Sequence, residues 1–232
     1  DPGPADETQL QNFLQAIGDA KLENILITHT HADHSPGALA LQEATGARLV
    51  GLKAPDVIGH DKTFAPDRLW CDEETIDCGE YSVQLIATPG HVSNHICFLL
   101  KQEQLLFTGD HVLQGTTSVI LPPDGDMTVY LNALERLLLI PLKALAPGHG
   151  TVMRQPHLEI EKLIAHRLKR EKKVVAGLES LGAVSLDELV LTVYDDVAKQ
   201  QIPWAKRTLL AHLLKLQQDE RVQYNNGLWE MQ

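Results

Sequence analysis

Four side chains able to bind a metal lie within six residues: His29, His31, Asp33 and His34, in the run His29-Thr30-His31-Ala32-Asp33-His34. A strand-like stretch, Ile25-Leu26-Ile27, leads directly into them. Alternate residues on an extended segment point the same way, so His29 and His31 can grip one ion together. Asp33 and His34, where the chain turns toward a helix, can face a second ion. Imidazole and carboxylate suit zinc, and also iron or manganese. Three further candidates stand beside glycines at strand ends: His91 in Thr88-Pro89-Gly90-His91, Asp110 in Thr108-Gly109-Asp110, and His149 in Pro147-Gly148-His149-Gly150. Glycine lets the backbone turn sharply and present a neighbouring side chain.

These residues come together only if several strands end at one edge of a sheet. The pattern through residue 150 supports that. Leu10, Phe13, Leu14 and Ile17 fall at helical spacing. Ser35-Pro36 reads as a cap and first turn, with a helix over Ala38 to Ala44 and Gly46 beyond its end. Arg48 to Leu52, Tyr81 to Ala87, Ile96 to Leu100, Leu105 to Thr108 and Lys143 to Ala146 read as strands. Asp126 caps a predicted helix over Met127 to Leu138. The class is α/β, without internal repeats.

The pattern changes at Gln155-Pro156. Helices are predicted over Leu158 to Leu181, with a break near Gly177, over Leu186 to Tyr194, and from Pro203 to about Gln218. Arg221 to Tyr224 and Leu228 to Met231 flank Asn225-Asn226-Gly227, a hairpin signal. Three helices and a hairpin have the shape of a winged helix. Two domains are therefore expected, residues 1–155 catalytic and residues 156–232 winged-helix.

Charge divides the same way. Residues 1–150 hold 8 Lys/Arg against 20 Asp/Glu, and residues 151–232 hold 12 against 11. The acidic part repels a polyanion unless bound metal offsets it locally, so the C-terminal part is the better surface for nucleic acid. Two stripes serve: Lys162, His166, Lys169 and Lys173 on one helix, and Arg207, Thr208, Ala211, His212 and Lys215 on the other, opposite four leucines. No apolar run reaches the roughly 20 residues that span a bilayer, so no membrane partner is expected. Three cysteines, Cys71, Cys78 and Cys97, make no disulfide framework, and a reducing, cytoplasmic setting is expected. The sequence lacks a Gly-x-Ser-x-Gly elbow, which argues against serine catalysis. Among the other histidines, His111 is read as a candidate wall of the substrate site and His95 as packing or support. His60, His157 and His166 are read as surface residues.

The ligand motifs resemble those of the metallo-β-lactamase superfamily. His29, His31, Asp33 and His34 match its signature, and His91, Asp110 and His149 match its later motifs in order. Asp1-Pro2-Gly3 is similar to its first motif, an aspartate that supports the ligands from behind. The resemblance covers nearly all of residues 1–150. It implies an αββα sandwich, with His29, His31 and His91 on one metal, Asp33, His34 and His149 on the other, and Asp110 bridging. It also implies strands ahead of the first motif, and the reading is that these N-terminal strands are missing from the chain as given. Asp110 stands where β-lactamases of the family commonly carry Cys, which looks instead like the thioesterase, lactonase and ribonuclease branches. His166-Arg167 to Lys173, Leu186-Asp187-Glu188-Leu189 with Tyr194, and Ala211-His212-Leu213-Leu214-Lys215-Leu216 resemble the tail of the beta-lactamase-like protein two branch. That group includes an endoribonuclease acting on single-stranded RNA.

The expected chemistry is hydrolysis by a hydroxide bridging two zinc ions, with iron or manganese as alternatives. Asp33 orients the nucleophile and passes a proton to the leaving group; Asp110 holds the ions together. The leading expectation is a phosphodiesterase, an endoribonuclease on single-stranded RNA held by the winged helix. The alternative is a small-molecule thioester hydrolase of the hydroxyacylglutathione hydrolase type. A third reading is an iron-dependent enzyme like the persulfide dioxygenases, which share His-x-His-x-Asp-His. A binding protein with a vestigial metal site is argued against by the complete ligand set.

Overall fold

A computed structural model describes residues 1–232. The first helix, α1 (Glu7–Ile17), is capped by Asp6, whose carboxylate accepts from the Gln9 amide at 2.8 Å. Leu10, Phe13, Leu14 and Ile17 lie on one face of it and pack with α2 (Gly37–Thr45) over β1 (Asn24–Leu26) and β2 (Arg48–Val50). β1 and β2 pair in parallel, Asn24 beside Arg48. Ser35 does not cap α2. Pro36 is already helical at φ −60° and ψ −29° and takes the cap position, and the Ser35 hydroxyl donates to Asp61 at 2.7 Å instead.

The second sheet runs β3 (Thr75–Asp77), β4 (Ser82–Ala87), β5 (Ile96–Leu100), β6 (Leu105–Gly109) and β7 (Ala144–Pro147), in that order across the sheet. Its pairs are antiparallel except β6 with β7. A parallel pair needs a crossover, and α3 (Met127–Leu138) supplies it. Asp126 caps this helix as the sequence predicts, accepting from the Val129 amide at 3.0 Å. Val50, Trp70, Leu85, Ile96 and Phe98 fill the space between the two sheets. Ile86, Leu99, Leu106, Tyr130 and Leu134 fill that between the second sheet and α3. The layers are helix, sheet, sheet, helix.

The C-terminal unit opens with α4 (Pro156–Leu181), which continues through Gly177 without a break. A methyl at Gly177 would meet Leu189 Cδ1 at 2.9 Å, so glycine there admits α5 (Leu186–Val193) rather than ending α4. Ser185 and Glu188 cap α5 reciprocally. Then follow α6 (Ile202–Gln218), β8 (Val222–Asn225) and β9 (Leu228–Met231). Asn226 and Gly227 both have positive φ, 51° and 87°, as a two-residue hairpin turn requires. Val174, Leu178, Leu189, Leu209, Leu213 and Trp229 form this unit's core. Ile160 and Leu163, from the start of α4, instead join the core under α3, and so does Ala211 of α6.

That last contact alters the reading of α6. Ala211 and His212, on the face assigned to nucleic acid, are buried. Lys215 is paired with Glu171 at 3.1 Å and Asp219 at 2.6 Å. Only the Arg207 end of the stripe is open to solvent. The leucine face packs into the C-terminal core while the opposite face lies toward α3, where Thr128 donates to Gln218 at 2.8 Å. Cys71, Cys78 and Cys97 are unpaired. No helix is long and apolar enough to cross a membrane.

Candidate metal centre

The strand that carries β1 continues through Ile27, whose amide donates to Val50 O at 2.8 Å, and delivers His29 to the sheet edge. β4 ends just before His91, β6 just before Asp110, and β7 just before His149. Their loops bring the seven candidate residues together. His29, His31 and His91 form one group, His29, His34 and Asp110 a second, and Asp33, His34 and His149 a third. Within each, the ligand atoms all lie within 4.8 Å of one another. Asp110 stands at the centre. Its Oδ1 is 3.4 Å from His34 Nε2 and 3.6 Å from His149 Nε2, while its Oδ2 is 4.0 Å from His91 Nε2. Asp33 Oδ2 lies 3.2 Å from His149 Nε2. His29, His34 and His91 are buried, whereas Asp33 and His149 are about half exposed and form the open rim.

Hydrogen bonds behind the rings fix which nitrogen carries a lone pair. His34 Nδ1 donates to Asp1 Oδ2 at 2.9 Å, and His91 Nδ1 donates to Val119 O at 2.6 Å. His29 Nδ1 lies 3.1 Å from the Thr28 hydroxyl, which donates to Asp1 at 2.7 Å and therefore accepts from the ring. The second nitrogen of each of these three rings is then a bare acceptor. His34 Nε2 and Asp110 Oδ1 are both buried, without a hydrogen-bond partner, and face each other. Two acceptors so placed repel unless a cation sits between them. The donor set thus fits a metal on structural grounds.

The charge states agree. Burial, then the neighbouring imidazoles, hold His29 well below its usual pKa and bring His31 to about 4. Burial pushes the Asp110 carboxyl up, but the surrounding rings of His34, His91 and His149 outweigh it and hold it low. Neutral rings around an ionised carboxylate are the ligand form. Gly148 leaves the space this needs: a methyl there would meet Asp110 Oδ1 at 2.8 Å and His34 Cε1 at 2.9 Å.

Chain 1–149 matches the model of the metallo-beta-lactamase superfamily. The chain belongs to that superfamily. Residues 185–229 match the beta-lactamase associated winged helix domain. An atrochrysone carboxyl ACP thioesterase of Aspergillus fumigatus is 28% identical over 95% of this chain and 71% of its own length. A beta-lactamase-like protein 2 homolog of Caenorhabditis elegans is 28% identical over 93% of this chain and 71% of its own. The structure of a metallo-beta-lactamase family protein from Thermus thermophilus covers the whole chain and 89% of that protein, with a TM-score of 0.80 at 22% identity. That likeness is one of fold.

Of the remaining histidines, His95 matches its sequence reading, and His111 and His60 do not. His111 is wholly buried, its ring 4.7 Å from that of Tyr130, and lines no open surface. His95 is wholly buried, with Nδ1 2.8 Å from the Thr88 hydroxyl, and supports the site from behind. His60 is not a surface residue: its side chain is 2% exposed, and it ties Thr30 at 2.8 Å to Asp124 at 3.1 Å beneath His31. Thr28, Asn94 and the Val119 carbonyl are parts of the site that the sequence reading did not single out. Thr28 adjoins His29, a visible signal; Val119, 28 residues from His91, left none.

Proposed function

We propose that the protein is a dinuclear metal-dependent hydrolase that cuts phosphodiester bonds in single-stranded RNA. His29, His31 and His91 would hold one divalent cation, Asp33, His34 and His149 the other, and Asp110 both. The observation that carries the reading is the pair of partnerless buried acceptors, His34 Nε2 and Asp110 Oδ1, at 3.4 Å. When bound, such a pair of cations activates water and draws charge from the oxygen of the substrate. The chain's own groups do the rest. Asp1, Thr28 and Val119 O lock the rings, so that no reorientation is needed on binding. Asp33, 58% exposed, has the access needed to orient the attacking water and hand its proton to the leaving oxygen.

RNA is supported by the C-terminal unit, which carries exposed Lys162, His166 and Lys169 on α4 and an exposed Trp204 with Arg207 5.7 Å over its ring. Cations beside an aromatic face suit a single strand. Zinc is the favoured metal because the ligands are imidazole and carboxylate. The unpaired cysteines support a reducing, cytoplasmic setting. Asp110→Asn should cut hydrolysis of a single-stranded RNA by about 100-fold and lower the bound metal from two ions per chain to one. Unchanged hydrolysis would end the proposal. A second reading, thioester hydrolysis, is favoured by the likeness to the ACP thioesterase and by the acid excess of residues 1–150. Thiol release from an acyl thioester, with RNA left intact, would replace the first reading by the second. One iron per chain would point to oxygen chemistry instead.

A further inference from the structure

A cavity of about 450 Å³ lies between residues 117–119 and the C-terminal unit. Arg167 and Arg170 of α4, Tyr194 after α5, and Trp204 and Thr208 of α6 line it with Ser118. Arg167 is 3% exposed, yet no carboxylate lies within ion-pair distance of it. Its one hydrogen bond goes to Ser118 O, it stands 5.4 Å over the Tyr130 ring, and its Nε has no partner. Tyr194 is 7% exposed and its hydroxyl also has no partner. Arg170, by contrast, is neutralised by Asp196 at 2.8 Å.

A buried guanidinium without a counter-charge is unfavourable, and a buried hydroxyl without a partner adds to the deficit. Both residues line the cavity, and an anion held there relieves both. Guanidinium and hydroxyl donors together suit the oxygens of a phosphate. Trp204, 56% exposed at the rim, offers an aromatic face beside it. The wall is shared with the metal centre. Ser118 Oγ donates to Asp110 O, and Val119 O accepts from His91.

We propose that this cavity is a phosphate-binding subsite in which Arg167 and Tyr194 receive the phosphate of a nucleotide flanking the scissile bond and Trp204 stacks on its base. The inference rests on the RNA reading for its ligand. Adenosine monophosphate and inorganic phosphate are the probes, titrated into the intact metal-loaded chain. Arg167→Gln should weaken both by about 10-fold. Trp204→Ala, an exposed change that leaves the core intact, should weaken adenosine monophosphate by about 10-fold and spare inorganic phosphate. With an RNA oligomer both losses should appear in KM. Should Arg167→Gln fail to fold, the Trp204→Ala contrast between the probes decides alone. Equal binding of adenosine monophosphate to wild type and Trp204→Ala overturns the nucleotide assignment. RNA cleavage with KM unmoved by either variant overturns the subsite and spares the RNA reading. Variant-dependent nucleotide binding without any RNA cleavage upholds the subsite and ends that reading.

Discussion

His212 should make stability fall with acid in a way that can be removed by one substitution. The ring is wholly buried on α6 and neither nitrogen has a partner. Burial first, then the cations Arg167, Arg170 and Lys215 and the His166 ring, push its pKa down from 6.5 to about 3. Between those values the unfolded chain binds a proton that the folded chain refuses. Stability is then fully present above pH 6.5 and falls as the pH drops, by about 1.4 kcal/mol per unit. From pH 7.5 to pH 5 the loss is about 2 kcal/mol, or about 4–8 °C in melting temperature for a chain of this size. His212→Met removes the titration at nearly constant volume. Its packing cost is the same at both pH values and cancels in the comparison. Urea unfolding of both proteins at pH 7.5 and pH 5 should show wild type losing about 2 kcal/mol more than the variant. Parallel losses would mean that His212 is protonated in the fold, and the burial argument would be wrong.

Gly148→Ala should lower the metal content, because the new methyl pushes against Asp110 and His34; elemental analysis of the purified variant checks it. Thr28→Val removes the hydroxyl linking His29 to Asp1 and should weaken metal binding by about 10–100-fold in a competition titration, with Thr28→Ser restoring most of it.

Some of this was legible because it is local. The Asp126 cap, the Asn226-Gly227 turn and the run from His29 to His34 each signal within a few residues. β3 left little trace, since three residues with one buried side chain give no periodicity to read. Asp1 was legible as a support through its motif, but other supports of the metal centre were hidden for a different reason. The Val119 carbonyl meets His91 across 28 residues, and Arg167 meets Ser118 across 49. Pairing at such distances is set by tertiary packing, not by pattern. α6 shows the same limit. Its leucines mark one buried face, but nothing in its spacing says that Ala211 and His212 are buried as well. A helix packed on two sides looks amphipathic in sequence.

α4 contributes Ile160 and Leu163 to one core and Val174 and Leu178 to the other. A gene cut just before this helix would strip the hydrolase half of side chains that close its own interior, and would leave the winged half with a greasy stub. The two halves are therefore poor cassettes for swapping between proteins. Recombination that keeps them working must carry the whole rod along with the front half, or match a new rod to both partners at once.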